Sequence, residues 1–578
     1  MHRSSSNSTQ GRKKTIAINR QPYDFSSQAS DSVVATMHPS VQRLRDEIQQ
    51  GTATLPSIAL ELALAAFVKS VRQWFKHTVT QQFVIDLPKD SLNRWLFDML
   101  SLSDPVENSP EFSSSNVKLI FRCPTTLLNN TEVIARELRQ SIPARLRPSY
   151  SDNNRLIVDA KRYKGRCMTF LTAMRTRFGE IEAIKDDLST LSLALEGFDP
   201  TILHPSIMEE KLRAVAGTCL QFVEKYLEED FTTLCKQLVE RVAAFETFYK
   251  ELGYEDSDFT VTMKRGEHSC EFTLTSTKPF PEQLDRGERV LQLSTIHYHK
   301  LQTLYGRMSM AFDSSQSHLN QLVFILLRRY KTFMGSERFE GASFHAAAPE
   351  GVFTILRDML NTRQECFASP FNCFFSQFCS AFPDLDAFFG SCGSFFDFDI
   401  AEGSLECGPP YTEECLDRTA EYLVRLLTKS QKPLMFVVFV PEWRTPPAKY
   451  HAILETSPFT LFHFCAPGGN HYYVCGNQFE PQCTLSVGAP MKDRDGRFYV
   501  VPHGTHVYFV CNPAGLEAYA QNSIEYLESV ADAVLNRLMN PLGRPGIATV
   551  HARDYMTAYT YGEDPIDNDL EPNIKVQK

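Results

Sequence analysis

From Val41 to Gly335 the apolar residues recur every three or four positions, the interval that turns one face of a helix toward a core. Ile58 to Phe75 carries Leu, Ala, Val and Phe at that spacing. Met208 to Leu252 extends it through Leu212, Val215, Leu220, Val223, Leu227, Phe231, Leu234, Leu238, Val242 and Phe245, with a bend expected at Gly217. Leu319 to Phe333 predicts another helix, with Arg328, Arg329 and Lys331 near its end. One hairpin interrupts the series: Phe259, Val261 and Met263 alternate, then Phe272 and Leu274, around the polar turn Arg265-Gly266-Glu267.

After about Gly341 the pattern changes to short apolar runs: Glu365–Ser369, Phe395–Phe398, Ser404–Cys407, Leu434–Val440, Phe459–Phe464 and His506–Cys511. Thr412 to Thr428 reads as a helix, with Glu413 and Glu414 suited to its first turn, where carboxylates meet the positive end of the helix dipole. Strands alternating with helices predict an α/β sheet with parallel strands. The expected organisation is a disordered tail over 1–40, a helical domain over 41–340 and an α/β domain over 341–515. A C-terminal helical stretch over 516–553 and an acidic mobile tail over 554–578 follow.

A chain of 578 residues has room for two to four domains, and 43% hydrophobic residues exclude a mainly disordered protein. No apolar run reaches the roughly eighteen residues that span a bilayer, so no transmembrane helix is expected. A net charge of −10 argues against a protein basic throughout but leaves room for a local basic groove. Arg145 with Arg147, the run Lys161, Arg162, Lys164 and Arg166, and the group Arg328, Arg329 and Lys331 are candidates. The first two groups are the expected phosphate contacts, since a planar guanidinium grips phosphate with two hydrogen bonds; the alternative is a solvated helix face. Fifteen cysteines, an odd number without a secretory signal, read as reduced thiols in a nuclear or cytoplasmic protein. The basic run Arg12, Lys13 and Lys14 fits a nuclear address, an organellar transit peptide or a solvated tail. His463, Cys465, His471 and Cys475 match no common zinc spacing, and no metal is expected.

The most informative stretch is Leu405-Glu406-Cys407-Gly408-Pro409-Pro410-Tyr411, at a strand end just before a helix, where doubly wound sheets bind ligands. A Pro-Pro-aromatic turn there suits methylation of the exocyclic amine of a base. The adenine N6 is a poor nucleophile because its lone pair delocalises into the ring. A polar side chain and the first proline's carbonyl can accept its two hydrogens, while the aromatic ring stacks on the base. The prolines fix the backbone, so the acceptors stand ready before substrate arrives. An ordinary turn is the alternative.

Around this turn stand Glu365-Cys366-Phe367-Ala368-Ser369-Pro370-Phe371-Asn372-Cys373, Phe378-Cys379-Ser380-Ala381-Phe382-Pro383-Asp384, Phe389-Gly390-Ser391 and Val440-Pro441-Glu442-Trp443-Arg444-Thr445-Pro446-Pro447. This ordered set resembles the phosphorylated-CTD-interacting-factor family, the cap-specific adenosine N6-methyltransferases of messenger RNA. The resemblance covers roughly residues 345–465. It implies a Rossmann-like class I methyltransferase domain preceded by a mainly α-helical cap- and RNA-binding domain, and a nuclear location. S-adenosylmethionine would be the donor, and the acceptor N6 of the (2′-O-methyl)adenosine beside the 7-methylguanosine cap of an mRNA. Phe367, Ser369, Pro370 and Asn372 would belong to the donor site, together with Gly408 and Pro409. Asp397 or Asp399 could hold the donor's ribose hydroxyls, as acidic residues do in related folds; a helix or turn cap is the equal alternative. Gly408, Pro409, Pro410 and Tyr411 occupy the catalytic motif; Glu413 and Trp443 match substrate contacts, an indole being the best face for a cationic 7-methylguanine, and the neighbouring carboxylate of Glu442 could accept hydrogens from a guanine edge.

The family pattern is Asn-Pro-Pro-Phe, and here Gly408 and Tyr411 replace its first and last residues. Tyr411 keeps the stacking face. Gly408 removes a side-chain acceptor, and two expectations follow: a catalytically inactive cap- or RNA-binding protein, or an enzyme with space beside N6 for a second methylation. The resemblance also implies RNA polymerase II, bound by the family through a WW domain, or other capping factors as partners. Trp74 and Trp95 have nearly WW spacing but helical surroundings, so a chain without that domain is expected.

Overall fold

A computed structural model describes residues 33–83, 92–93, 153–201, 205–334 apart from 283, 285 and 311, 345–443, 448–476, 479 and 498–556. The first half is built on helices α1 (Pro39–Gln50), α2 (Ile58–Phe83), α3 (Asn153–Phe178), α4 (Glu182–Glu196), α5 (Pro205–Tyr226), α6 (Glu228–Ala243), α7 (Phe245–Leu252), α8 (Thr295–Met308) and α9 (Leu319–Met334). The single helix expected over 208–252 is three. It breaks around Leu227 and Ala244 rather than at Gly217, re-phasing the apolar stripe so that Leu227 and Phe245 are both buried. Strand β1 (Val34–Thr36) belongs to the second half's sheet, so residues assigned to the tail are ordered. The expected hairpin is present as β2 (Phe259–Arg265) and β3 (Ser269–Ser276), with Val261 opposite Leu274 and Met263 opposite Phe272. β4 (Val290–Ser294) adds a third antiparallel strand.

The second half comprises α10 (Glu350–Leu360), β5 (Gln364–Glu365), β6 (Asp399–Cys407), α11 (Glu413–Lys429), β7 (Leu434–Pro441), α12 (Lys449–Thr456), β8 (Thr460–Ala466), β9 (Tyr472–Val474), β10 (Phe498–Val500), β11 (Thr505–Cys511), α13 (Pro513–Ala520) and α14 (Ile524–Met539). The main sheet runs β1-β6-β7-β11-β8, with β5 beside β6. The expectation of parallel strands holds for β5, β6 and β7; β11 lies antiparallel between β7 and β8, and β1 is antiparallel to β6. β7 explains the layering. All eight of its residues are buried, and alternate side chains enter opposite cores. Met435, Val437 and Phe439 pack with residues of α10 and α14, whereas Leu434, Phe436, Val438 and Val440 pack with α11 and α12. The sheet is thus covered by helices on both faces.

Three expected elements differ. The run Glu365–Ser369 contributes only the two-residue β5, and the helical stretch expected over 516–553 holds two helices, α13 and α14. Phe395–Asp397 is a tight helical turn rather than a strand, because a strand would point one of two adjacent rings outward and the turn buries both. The apolar core of the helical half also crosses the expected boundary at 341, taking in Phe371, Phe378, Phe382, Phe388 and Phe389. Among the described residues no helix is long and apolar enough to cross a membrane.

Candidate active site

A cavity of about 200 Å³ opens beyond the carboxyl ends of β5 and β6. Its walls come from both halves: Arg329, Tyr330 and Met334 of α9, the loop from Cys366 to Asn372, the turn at Phe395–Asp397, and Gly408–Tyr411 between β6 and α11. Arg329 is buried between Glu61 of α2 and Asp384, bonding Asp384 through both terminal nitrogens at 3.2 and 3.0 Å. Arg328 is buried against Glu288. This pair is therefore spent on core ion pairs rather than a phosphate groove. Arg145 and Arg147 lie outside the described residues; Arg162 is on α3, and its side chain is not described.

The catalytic-motif turn closes through the Thr412 N–H, which donates to the Pro410 carbonyl at 2.8 Å and so does not use the Pro409 carbonyl. Tyr411 shares a 2.9 Å hydroxyl bond with Tyr473, and burial pushes its ionisation well up, leaving a neutral ring on the wall. Trp443 packs edge-on to it, with ring centroids 6.3 Å apart, and His503 packs at 5.6 Å.

Two carboxyls face each other here. Glu365 on β5 is in register with Glu406 on β6, and both line the cavity. Glu365 accepts the Phe374 and Phe375 N–H groups at 2.7 and 2.9 Å; burial still pushes it up to about 7. Burial, then the Glu365 charge, drives Glu406 well above the usual carboxylate range. A Cβ at Gly408 would stand 2.8 Å from Glu406 Oε1. The position beside Gly408, left open in the expectation of a second methylation, is thus crowded by the Glu406 carboxyl.

Of the expected donor residues, Phe367, Ser369 and Asn372 line the cavity, whereas Pro370 shapes the turn between them without reaching its wall. Asn372 Oδ1 accepts from the Ser369 N–H at 2.7 Å and its hydroxyl at 3.0 Å, fixing that turn. Phe367 packs against Phe395 and Phe396. The two aspartates separate cleanly. Asp397 lines the cavity with its Oδ1 buried and unbonded, and burial raises its pKa against the pull of His38 and Arg418. Asp399 instead pairs with Lys429 at 2.6 Å on the surface.

The expected substrate contacts are more scattered. Glu413 begins α11, and Trp443 packs on Tyr411 without itself lining the cavity. Glu442 is turned inward, its carboxyl accepting from the Cys465 thiol at 3.0 Å while its backbone N–H donates to the carbonyl of Gly504, just before β11. This corrects its expected place at a guanine edge. Of the four residues weighed for zinc, His471 has both ring nitrogens engaged, with Thr505 and the Pro467 carbonyl. Cys465 instead meets Glu442 and His506, the three ligand atoms lying within 4.8 Å of one another. Sequence reasoning missed Glu406, Glu365 and Tyr473 as site residues. The available signal was a glutamate inside each of two apolar strand ends, immediately before the motifs.

Fold and site together define an α/β protein with a ligand cavity at the carboxyl ends of its parallel strands. The model of the family described as "Phosphorylated CTD interacting factor 1 WW domain" matches residues 300–476, which include Glu365, Gly408–Tyr411 and Trp443. That match corrects the expectation of a chain without the WW region: the segment carrying this description is present, and it lies well beyond Trp74 and Trp95. The chain is 37% identical over 235 residues to the mRNA (2′-O-methyladenosine-N(6)-)-methyltransferase of Homo sapiens, covering 41% of this chain and 32% of that protein. The Mus musculus protein of the same name is 37% identical over 230 residues, 40% of this chain and 31% of the relative. The matched part thus spans about a third of these relatives' length.

Proposed function

We propose that this protein is a Rossmann-like S-adenosylmethionine-dependent methyltransferase acting on N6 of the (2′-O-methyl)adenosine beside an mRNA cap. The observation that carries the reading is the pairing of the Gly408–Tyr411 turn with the unbonded Asp397 oxygen on one cavity wall. Ligands of such sheets bind outside the carboxyl ends of the strands, and an acidic residue there accepts ribose hydroxyl hydrogens. The cavity fits the donor in these terms: Asp397 would hold its ribose, the Phe367 ring its adenine, and the Ser369–Asn372 turn would shape its amino-acid end. When bound, the donor supplies an electrophilic methyl group.

The chain's own residues would orient the acceptor. Tyr411 stacks on the target base, the Pro409 carbonyl accepts one amino hydrogen, and Trp443 supports Tyr411 and offers an indole edge toward the cap. Fixing the amine in line with the methyl group supplies most of the acceleration, and the walls exclude water meanwhile. A polymerase-tail partner, carrying a phosphorylated C-terminal domain, is proposed on the description of the matching family, and a nuclear location accompanies it.

Transfer of isotope-labelled methyl groups to short RNAs tests this reading. A capped RNA beginning with 2′-O-methyladenosine should be labelled, and the same RNA without its cap, or beginning with guanosine, should not. Absence of label on every RNA, with donor binding intact by calorimetry, would establish the non-catalytic alternative.

A further inference from the structure

The Glu406 carboxyl occupies the place where a side chain at 408 would begin. It is buried at the end of β6, 5% exposed, and it lines the cavity. Among the described residues no hydrogen bond reaches either of its oxygens, whereas its neighbour Glu365 is held by two backbone N–H groups. An unbonded buried carboxyl is costly, so its retention beside a ligand site calls for a partner that arrives with the ligand.

We propose that Glu406 is a catalytic residue of this chain, its carboxyl oxygen accepting the substrate-amine hydrogen that the missing side chain at Gly408 would otherwise accept. This rests on the reading of the site as an adenosine N6-methyltransferase. Gly408 and Glu406 then form one unit: glycine is required because any Cβ would displace the Glu406 carboxyl, and the carboxyl supplies what glycine lacks. The Pro409 carbonyl takes the other amine hydrogen. Held neutral by burial and by Glu365, the carboxyl presents an uncharged carbonyl oxygen to the amine, the same chemistry as an amide. Tyr473, Cys366 and Cys407 are in electrostatic contact with Glu406, and Lys300 and Cys373 with Glu365, Lys300 pulling the Glu365 pKa down against burial. No proton transfer or covalent step is assigned to Glu406.

The test compares Glu406→Leu, Glu406→Gln and the double variant Glu406→Ala/Gly408→Asn with the wild-type chain, measuring methyl transfer to capped RNA and S-adenosylmethionine binding by calorimetry. Glu406→Leu should lose about a hundredfold or more in kcat while binding the donor normally, as expected for a lost preorganised acceptor. Glu406→Gln should stay within about tenfold of wild type, and the double variant should recover most of the activity by moving the acceptor to position 408. Leucine at 406 with wild-type kcat, a loss confined to donor affinity, or a double variant as slow as Glu406→Leu would each overturn the assignment. If the leucine variant does not fold, Glu406→Gln decides, since a hundredfold loss with intact donor binding contradicts a neutral acceptor. Failure of the wild-type chain itself to methylate any RNA would instead remove the proposed function.

Discussion

Glu406 Oε1 lies 2.8 Å from the point where a Cβ on Gly408 would stand, so these two positions cannot both carry side chains in this arrangement. A contact that short must displace one of them, and here the displaced group is the free end of Glu406. Gly408→Ala should therefore fold with a melting temperature close to wild type yet lose about tenfold or more in methyl transfer. Activity assays beside thermal melts check this; an alanine variant as fast as wild type would show that the carboxyl position is immaterial.

Asp397 brings an unbonded buried oxygen to the same cavity. Asp397→Ala should weaken S-adenosylmethionine binding by about tenfold or more, the scale of a lost charge-assisted hydrogen bond. Because burial raises the Asp397 pKa, the ionised acceptor is lost as pH falls, so donor affinity should strengthen with rising pH. Asp399→Ala, at a surface ion pair, should leave the affinity unchanged. Calorimetry at several pH values measures both.

Arg329 ties α2 and the Asp384 loop to the cavity wall through Glu61 and Asp384. Arg329→Met would leave the buried Glu61 and the partly buried Asp384 without their cation, costing about 3–5 kcal/mol. Chemical denaturation should show that loss, whereas Lys225→Met, which breaks a surface pair with Asp187, should change stability little.

Stability should fall as pH rises from about 6.5 to 8. Burial pushes Glu365 and Asp386 up to about 7, so the folded chain holds protons that the unfolded chain has released. Their contribution is complete below the ordinary carboxylate range and is lost as pH climbs through 7. His345 and His471, pushed down to about 3 by burial, act in the opposite direction, but their effect fades above about pH 6.5 as the unfolded imidazoles lose their protons, and it only partly offsets the carboxyls. Thermal melts across this range should flatten in Glu365→Gln; a wild-type melting temperature that rises from 6.5 to 8 would contradict the assignment.

Much of this architecture was legible in the sequence. The uninterrupted apolar run at Leu434–Val440 could only be a strand buried on both faces, and α11 announced itself through Glu413 and Glu414. The antiparallel insertion of β11 was not legible, because local periodicity carries no strand direction. The turn at Phe395–Asp397 escaped for a similar reason: paired aromatics suit a strand and a buried turn equally. At the site, the Pro-Pro turn was visible from composition alone, but the partnership of Glu406 with Gly408 required the third dimension. A missing Cβ reads as empty space until the neighbour that fills it is seen. Likewise Arg328 and Arg329 looked like a basic patch because sequence does not reveal Glu61, Glu288 and Asp384 packed against them.

Nucleoside mass spectrometry after reaction of the full chain with S-adenosylmethionine and a capped 2′-O-methyladenosine RNA gives the most direct reading. A single added methyl group on N6, with no dimethyl product at high enzyme concentration, is the expected result, since the Glu406 carboxyl crowds the position beside Gly408. An unmodified adenosine, or methylation that ignores the cap, would contradict it.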